Sequence, residues 1–547
     1  MTTVAATVAA ALAATTDHVF ALLGNGNAYV LDALARSRTP VTCVRHEAAT
    51  VASADAYHRV SGRLAAATTT YGAGLTNAVT ALTEAALAGT PLLLLAGDAP
   101  AQGRRSFDID QGELVHATGA RFVHLDAAAP GTLVAEAAWD AVTHRRPVVL
   151  ALPYDTATAQ AADPGVPAPH PPTAPREAGA DELDAVAAQL VQAARPLVVA
   201  GRGARGCGAE VRALAERLGA LTATTAPARG LLAGYPGDVG ICGGFAGDEA
   251  AGLIQGADVV LVLGAGLNPF TAREGRAFAP DAAVIQVDLR PAATHPLVTR
   301  FVRADVGATV RGLRARLDAG GAWEPRPGAA PRVRSGVRYL RSHDGAEVAA
   351  DGRLDPRAVF TRLERILPAE RQVVSDGGHF IGWANTYLSL PREDSIVLVG
   401  TAFQSIGLGL PSAPGALVAR PEVTTVVVVG DGGGIMGLAD LETVTRCARS
   451  ALVVVVNDGV YGAEVHQYGT LGLDQAAMRV GEIDFAALGR ALGAQGAVIR
   501  TLGDLSVVEQ WLSAGARGVL VADVRVSPDV VAPYLSGLVT PREQPAR

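Results

Sequence analysis

Short runs of Val, Leu and Ile recur along the whole chain, separated by Ala-rich stretches of helical pattern. A strand that is apolar at every position has to be covered on both faces. Parallel sheets flanked by helices provide that cover. Candidate strands are Val41–Arg45, Leu64–Thr70, Leu92–Gly97 and Val148–Leu152, then Pro196–Gly201, Val259–Gly264 and Val284–Leu289, then Gln372–Ser375, Thr424–Gly430, Ala451–Asn457 and Val519–Val524. The 547 residues exceed one core, and about 100–200 residues per domain gives roughly three. A Pro/Ala-rich stretch (Ala162–Pro175) and a Gly/Pro/Arg-rich one (Gly321–Ser335) separate the groups. The expectation is α/β: three domains with doubly wound parallel sheets, at 1–160, 181–325 and 351–547, with linkers at 161–180 and 326–350.

Composition narrows the function classes. Hydrophobic residues make up 49% and charged ones 18%, which suits a large core and excludes a disordered chain. Net charge is −7 with no long run of one sign, so neither nucleic acid nor an acidic membrane is the expected partner. All 46 basic residues are arginine. Without lysine there is no Schiff-base chemistry, no pyridoxal-phosphate attachment and no phosphate-loop lysine. Cys43, Cys207, Cys242 and Cys447 form no CxxC pair, which argues against zinc and disulfide frameworks and for a reducing cytoplasm. The N-terminus lacks the early basic residue of a signal peptide, and no apolar run reaches the ~18–20 residues of a membrane span.

The segment Thr424–Tyr468 carries the chemistry. A buried strand ends at Gly430. Asp431 follows, then three glycines and a helix expected over Ile435–Arg446. A second buried strand ends at Asn457-Asp458. Ligands of parallel sheets bind beyond strand carboxyl ends, so Asp431 and Asp458 would face one point. Such oxygen ligands suit Mg²⁺, which keeps positions for phosphate oxygens and water. Gly432 to Gly434 let backbone approach a diphosphate near a helix N-terminus. The glycine run alone could be a plain strand-to-helix turn; the second strand end favours the site.

GDG, followed about two dozen residues later by ND, resembles the cofactor signature of thiamine-diphosphate enzymes. Further segments resemble the acetolactate synthase/2-oxo acid decarboxylase superfamily over nearly the whole chain: Ser405–Glu422, Arg45–Thr50 (RHEAAT), Val262–Asn268, Val284–Pro291 and His144–Asp155. The resemblance implies, in order, a pyrimidine-binding, a central and a diphosphate-binding domain. It also implies an active site between subunits of a homodimer or homotetramer. Glu47 would be the carboxyl group that drives the cofactor's tautomerisation. Asp431, Asp458 and the Val460 carbonyl would hold Mg²⁺, with Asn457 replacing Asp458 if the register slips by one. Gly430, Gly432, Gly433, Gly378, His379 and Tyr461 would surround the diphosphate. Ile406 would force the cofactor's bent conformation, and Met436 would form a second apolar wall. A helix-surface glutamate and plain core packing are the competing readings of Glu47, Ile406 and Met436.

Substrate-facing positions depart from the pattern. Asp110-Gln111 stands where acetolactate synthases have Phe-Gln, their channel lysine falls near His124, and Gly266 replaces an acceptor-binding arginine. Pyruvate-type decarboxylases have a His-His pair, absent here, and an early Asp where this chain has Asn25; Glu464 matches their active-site glutamate. Gln111 is the first candidate for touching substrate; Asn25, Asp110, His124, Glu464 and His466 follow. FAD, held by acetolactate synthases in the central domain, is the doubtful cofactor. Gly201–Arg205 suits a nucleotide or an empty vestige, and the family's His-Gly reads Cys242-Gly243-Gly244. The expected activity is carboligation or decarboxylation on a 2-oxo acid or related carbonyl donor, with an aldehyde as the favoured acceptor. Alternatives are cleavage or hydrolysis of an acyloin or diketone, and a catalytically idle regulatory or binding paralogue. A nicotinamide dehydrogenase lacks support, because no GxGxxG unit with a distal acid is present.

Overall fold

The computed structural model describes residues 2–37, 39–168, 170–171, 173–319 and 346–536. Most of the expected linker at 326–350 lies outside the described residues. Three six-stranded sheets follow one another along the chain. The first holds β1 (His18–Ala21), β2 (Val41–Cys43), β3 (Ala65–Thr69), β4 (Leu92–Asp98), β5 (Arg121–His124) and β6 (Pro147–Pro153), in the order β2-β1-β3-β4-β6-β5. The second holds β7 (Pro196–Ala200), β8 (Leu221–Thr224), β9 (Asp238–Ile241), β10 (Val259–Leu263), β11 (Ala283–Asp288) and β12 (Arg300–Arg303), in the order β12-β11-β10-β7-β8-β9. The third holds β13 (Arg371–Ser375), β14 (Ile396–Val397), β15 (Thr424–Gly430), β16 (Ser450–Asn457), β17 (Gln495–Ile499) and β18 (Gly518–Arg525), in the order β14-β13-β15-β16-β18-β17. The described pairings within these sheets are parallel.

The fold is α/β with doubly wound parallel sheets. β4, β6 and β7 are buried at every position, which is why their sequences read as nearly continuous apolar runs. Sequence reasoning missed β1, β5, β8, β9, β12, β14 and β17. Of these β5, β12 and β17 sit at sheet edges with partly exposed residues, so their apolar runs are broken. β1 and β8 are short and carry His18, Thr222 and Thr224.

The first and third sheets share one strand order, a repeat at domain length. They also share a core. One apolar cluster runs from Phe20, Leu94 and Val149 through Ala54 to Val427 and Val453. Helix Glu47–Ser61 meets helix Gly409–Ala419 backbone to backbone. A Cβ at Gly415 would lie 1.9 Å from the Ser53 carbonyl oxygen, so only glycine allows the contact. Ser53 Oγ donates to the Pro411 carbonyl at 2.8 Å. No helix among the described residues is long and apolar enough to cross a membrane.

Candidate active site

Strand order reverses between β13 and β15, and ligand crevices of open parallel sheets form at such points, beyond the carboxyl ends. The loops after β13, β15 and β16 line one end of an open groove of about 1730 Å³, which continues along the second sheet's loops to His58–Gly62 and Ala86–Thr90 of the first domain. Its walls include Gly377–Ile381, Gly430–Gly433, Asp458 and Val460–Glu464. The helix after β15 begins at Asp431 rather than at Ile435. The glycines form its first turn, and it breaks at Gly437-Leu438 before a second helix, Ala439–Cys447. At the break, a Cβ on Gly437 would lie 2.8 Å from Pro411 Cδ. The other glycines are sterically required as well. A Cβ at Gly432 would stand 2.5 Å from the Tyr461 ring, and one at Gly433 2.5 Å from Asp376 Oδ2.

Two carboxyl groups face this crevice, Asp431 buried and Asp458 half-buried. Asp431 accepts from the Gly432 and Gly459 amides at 2.8 and 2.6 Å, and Asp458 accepts from the Val460 amide at 3.1 Å. Neither has an ion-pair partner among the described residues. Burial pushes both carboxyls above the usual carboxylate range, and the Asp431 charge pushes Asp458 up further. A divalent cation would relieve that repulsion, and the donor set fits one: hard oxygens with room left for phosphate. No third His, Cys, Asp or Glu joins them among the described residues, which leaves backbone oxygen such as that of Val460. Asn457 does not serve as the fallback ligand. Its Nδ2 donates to the Ile483 carbonyl and to Asp523 Oδ1, both at 2.9 Å, inside the fold. Successive strand residues point to opposite faces, so only one of Asn457 and Asp458 can reach the crevice.

This pair dictates a pH response. Each carboxyl holds its proton in the folded protein at pH values where the unfolded chain has lost it. The stabilising contribution of the pair is complete below the ordinary carboxylate range and is lost as pH rises above that range and the pair gives up its protons. Metal-free protein should therefore melt at lower temperature at pH 8 than at pH 5.5, and Mg²⁺ should restore much of the difference. Asp458→Asn should flatten the metal-free profile; an unchanged slope in scanning fluorimetry would remove the pair as its cause.

A third buried acid organises the crevice. Asp376, unexposed, accepts from the Gly377 and Gly407 amides, both at 2.8 Å, and burial pushes it up to about 6. Sequence reasoning took the glycine and histidine after it and passed over Asp376 itself. Gly378 has φ +124°, and Tyr534 Oη donates to its carbonyl at 3.2 Å. His379 Nε2 accepts from the Ala532 amide at 2.7 Å, so the ring is neutral with its hydrogen on Nδ1; burial lowers it to about 3. Its centroid is 4.7 Å from that of His466. Glu464 lines the cavity, but His466 does not. Ile406 lines it too, and Met436, 57% exposed, packs its Cβ against Gly407.

Glu47 lies elsewhere. It starts the helix after β2, at the carboxyl edge of the first sheet, and does not line the cavity. Its Oε2 accepts from Asn77 Nδ2 at 3.0 Å, a partner that sequence reasoning missed. Gln111 shares that edge and is bonded within it. Its Nε2 donates to the Gly97 carbonyl and Asp98 Oδ1, both at 2.8 Å, and its Oε1 accepts from the Gly72 amide at 2.6 Å. It ties the β3 and β4 loops together at the sheet edge where Glu47 stands. Asp110 caps the helix that Gln111 begins, accepting from the Glu113 amide at 3.1 Å. His124 stands exposed, its Nδ1 3.5 Å from Asp98 Oδ2. Asn25 is exposed between Gly24 and Gly26.

The second sheet reverses between β7 and β10, and its two glycine loops touch. The Gly203 amide donates to the Gly264 carbonyl at 2.9 Å. Arg202 and Arg205, in the Gly201–Arg205 segment, turn to the first domain and donate to the carbonyls of Ala88 and Arg59. Cys242–Gly244 packs on Phe270 and Thr271.

Three family descriptions match in sequence. "Thiamine pyrophosphate enzyme, N-terminal TPP binding domain" covers residues 2–119, the family's central domain covers 183–313, and its C-terminal TPP binding domain covers 376–522. The chain belongs to the thiamine pyrophosphate enzymes. It is 30% identical to a sulfoacetaldehyde acetyltransferase of Rhodobacter capsulatus, over 90% of this chain and 88% of that one. It is 27% identical to the acetolactate synthase isozyme 2 large subunit of Escherichia coli, over 81% and 80%. In fold it is similar to the 4-hydroxybenzoylformate decarboxylase of Rhodococcus jostii, with TM-score 0.80 and 21% identity, covering 96% of this chain and 99% of that one. This thiamine-diphosphate-dependent enzyme falls in the acetolactate synthase-like superfamily of carboligases and decarboxylases.

Proposed function

We propose that the enzyme is a carboligase, which takes a 2-oxo acid as donor and joins the fragment left after loss of CO₂ to an aldehyde acceptor. Bound thiamine diphosphate supplies the nucleophilic carbon and the electron sink for decarboxylation. The chain's own residues do the rest. Asp431, Asp458 and the Val460 carbonyl would hold Mg²⁺, and the Gly430–Gly433 backbone would let a diphosphate approach. Ile406 and Met436 support the rings. Glu47, oriented by Asn77, holds and moves the proton at the aminopyrimidine.

One observation carries this reading: Glu47 and the Asp431–Asp458 crevice occupy the carboxyl edges of two different sheets, and Glu47 does not line the crevice. A second subunit would bring a Glu47 to each crevice. The exposed apolar residues on both parts, Leu23, Tyr29 and Phe107 on one and Ile435, Met436 and Leu471 on the other, suit such a homodimer or a tetramer built from it. Carboligation is favoured over release of free aldehyde because the chain has no adjacent His-His pair. Gly266 in place of an arginine favours an uncharged acceptor.

Glu464 supports a second reading. It lines the cavity and could protonate the fragment for release as free aldehyde, which is simple decarboxylation. Product analysis separates the two. Purified enzyme with Mg²⁺ and thiamine diphosphate is given a panel of 2-oxo acids, with and without aldehydes. Carboligation yields CO₂ and a hydroxyketone; free aldehyde as sole product under every pairing would reject it. No CO₂ from any 2-oxo acid would reject both and favour acyloin or diketone cleavage.

A further inference from the structure

A buried ion triad of the first domain grips the loop that carries Ile406. Asp55 and Arg59 lie on helix Glu47–Ser61 and Glu84 on helix Ala73–Ala88. Arg59 donates to both Asp55 oxygens, at 2.6 and 2.7 Å, and to Glu84 Oε1 at 3.0 Å. The three residues are 0%, 6% and 0% exposed for Asp55, Arg59 and Glu84. A buried ion cluster is poor value as a stabilising device, since desolvation offsets most of its attraction. Its remaining polar atoms have another target. Arg59 Nη1 donates to the Leu398 carbonyl at 2.6 Å, and Glu84 Oε2 accepts from the Phe403 amide at 2.7 Å, across 319 residues of sequence.

Both contacts fall on the loop between β14 and helix Gly409–Ala419. That loop is conformationally unfavourable by itself. Gly400 and Gly407 have φ +106° and +86°, and Gln404, a non-glycine residue, has φ +57°. Inside the loop, the Ser405 amide donates to the Gly400 carbonyl at 2.9 Å. At its far end Asp376 accepts from the Gly407 amide. Ile406 thus lies between the Glu84 and Asp376 anchors, on the cavity wall.

We propose that Glu84 and Arg59 are positioning residues, which hold the Leu398–Gly407 loop so that Ile406 stands as the support for the bent cofactor. The inference rests on the thiamine reading of Ile406. It adds that the support is set from the first domain of the same chain.

The test begins with wild-type protein titrated with thiamine diphosphate and Mg²⁺. Tryptophan fluorescence gives the Kd, and circular dichroism follows the band of the bound cofactor's imino tautomer. Failure of wild type to bind overturns the thiamine reading, and this inference with it. Given binding, Glu84→Ala removes the acceptor of the Phe403 amide. Its Kd should rise about tenfold, the scale of one charge-assisted hydrogen bond, and the imino band should fall. Glu84→Gln keeps an oxygen for the Phe403 amide but turns its NH₂ group to Arg59, so it should recover part of the band. A folded Glu84→Ala with wild-type Kd and full band overturns the proposal. Amide hydrogen exchange on wild-type protein needs no variant: the Phe403 amide should exchange as slowly as the buried strands, and exchange at open-loop rates also overturns it.

Discussion

Glu47→Gln should lower kcat by about 10²–10⁴-fold, the range attributed to a positioned acid–base group, while leaving folding and cofactor affinity near wild type. Gln keeps the shape and can still accept from Asn77, whose Nδ2 lies 3.0 Å from Glu47 Oε2. What it cannot do is share a proton with the aminopyrimidine. Melting temperature, Kd for thiamine diphosphate and steady-state rates measured together isolate the effect, and near-wild-type turnover would remove Glu47 from the mechanism. The same variant tests the two-subunit site. Asp431→Ala should lose the cofactor but keep Glu47. Co-expressed with Glu47→Gln chains, it should form hybrids in which one crevice is intact and faces a working Glu47. Activity should then reappear from two inactive chains. A site built within one chain would give none.

The second large effect is on stability. Arg59→Ala should destabilise the protein by about 3–5 kcal/mol, the usual result of removing one partner from a buried ion cluster. Asp55 and Glu84, both unexposed, would be left without their counter-charge. The Arg36–Asp32 pair is the control: its side chains are 77% and 58% exposed, and breaking it should cost about 0–1 kcal/mol. Denaturant midpoints read the comparison, and equal shifts for Arg59→Ala and Arg36→Ala would disprove it. Since Arg59 also holds Leu398, the variant should weaken cofactor binding at temperatures where it stays folded.

The interior strands were legible because their chemistry is local. Thr424–Gly430 is apolar at nearly every position, and in the fold it is the third strand of its sheet by chain order, flanked on both sides. The edge strand β5 has two of its four residues exposed and gave no such signal. The glycines after Asp431 were placed before the helix because glycine disfavours helices; in the fold they are its first turn, where Tyr461 and Asp376 leave no room for a Cβ on Gly432 or Gly433. The bonding of Gln111 could not be read. Its type suggested a substrate contact, and only the fold shows the three internal hydrogen bonds by which it ties two loops together.

By itself the sequence determined the α/β class, most interior strands and the family, since each is written in consecutive residues whose burial or spacing has one economical explanation. The tertiary structure alone decided three things. Asp458 rather than Asn457 faces the crevice, because strand alternation turns Asn457 towards Asp523. Glu47 and that crevice stand on separate sheets, because the first and third domains fold alike and meet along their helices. The loop carrying Ile406 is held by Glu84 and Arg59, because packing converts a separation of hundreds of residues into a hydrogen bond.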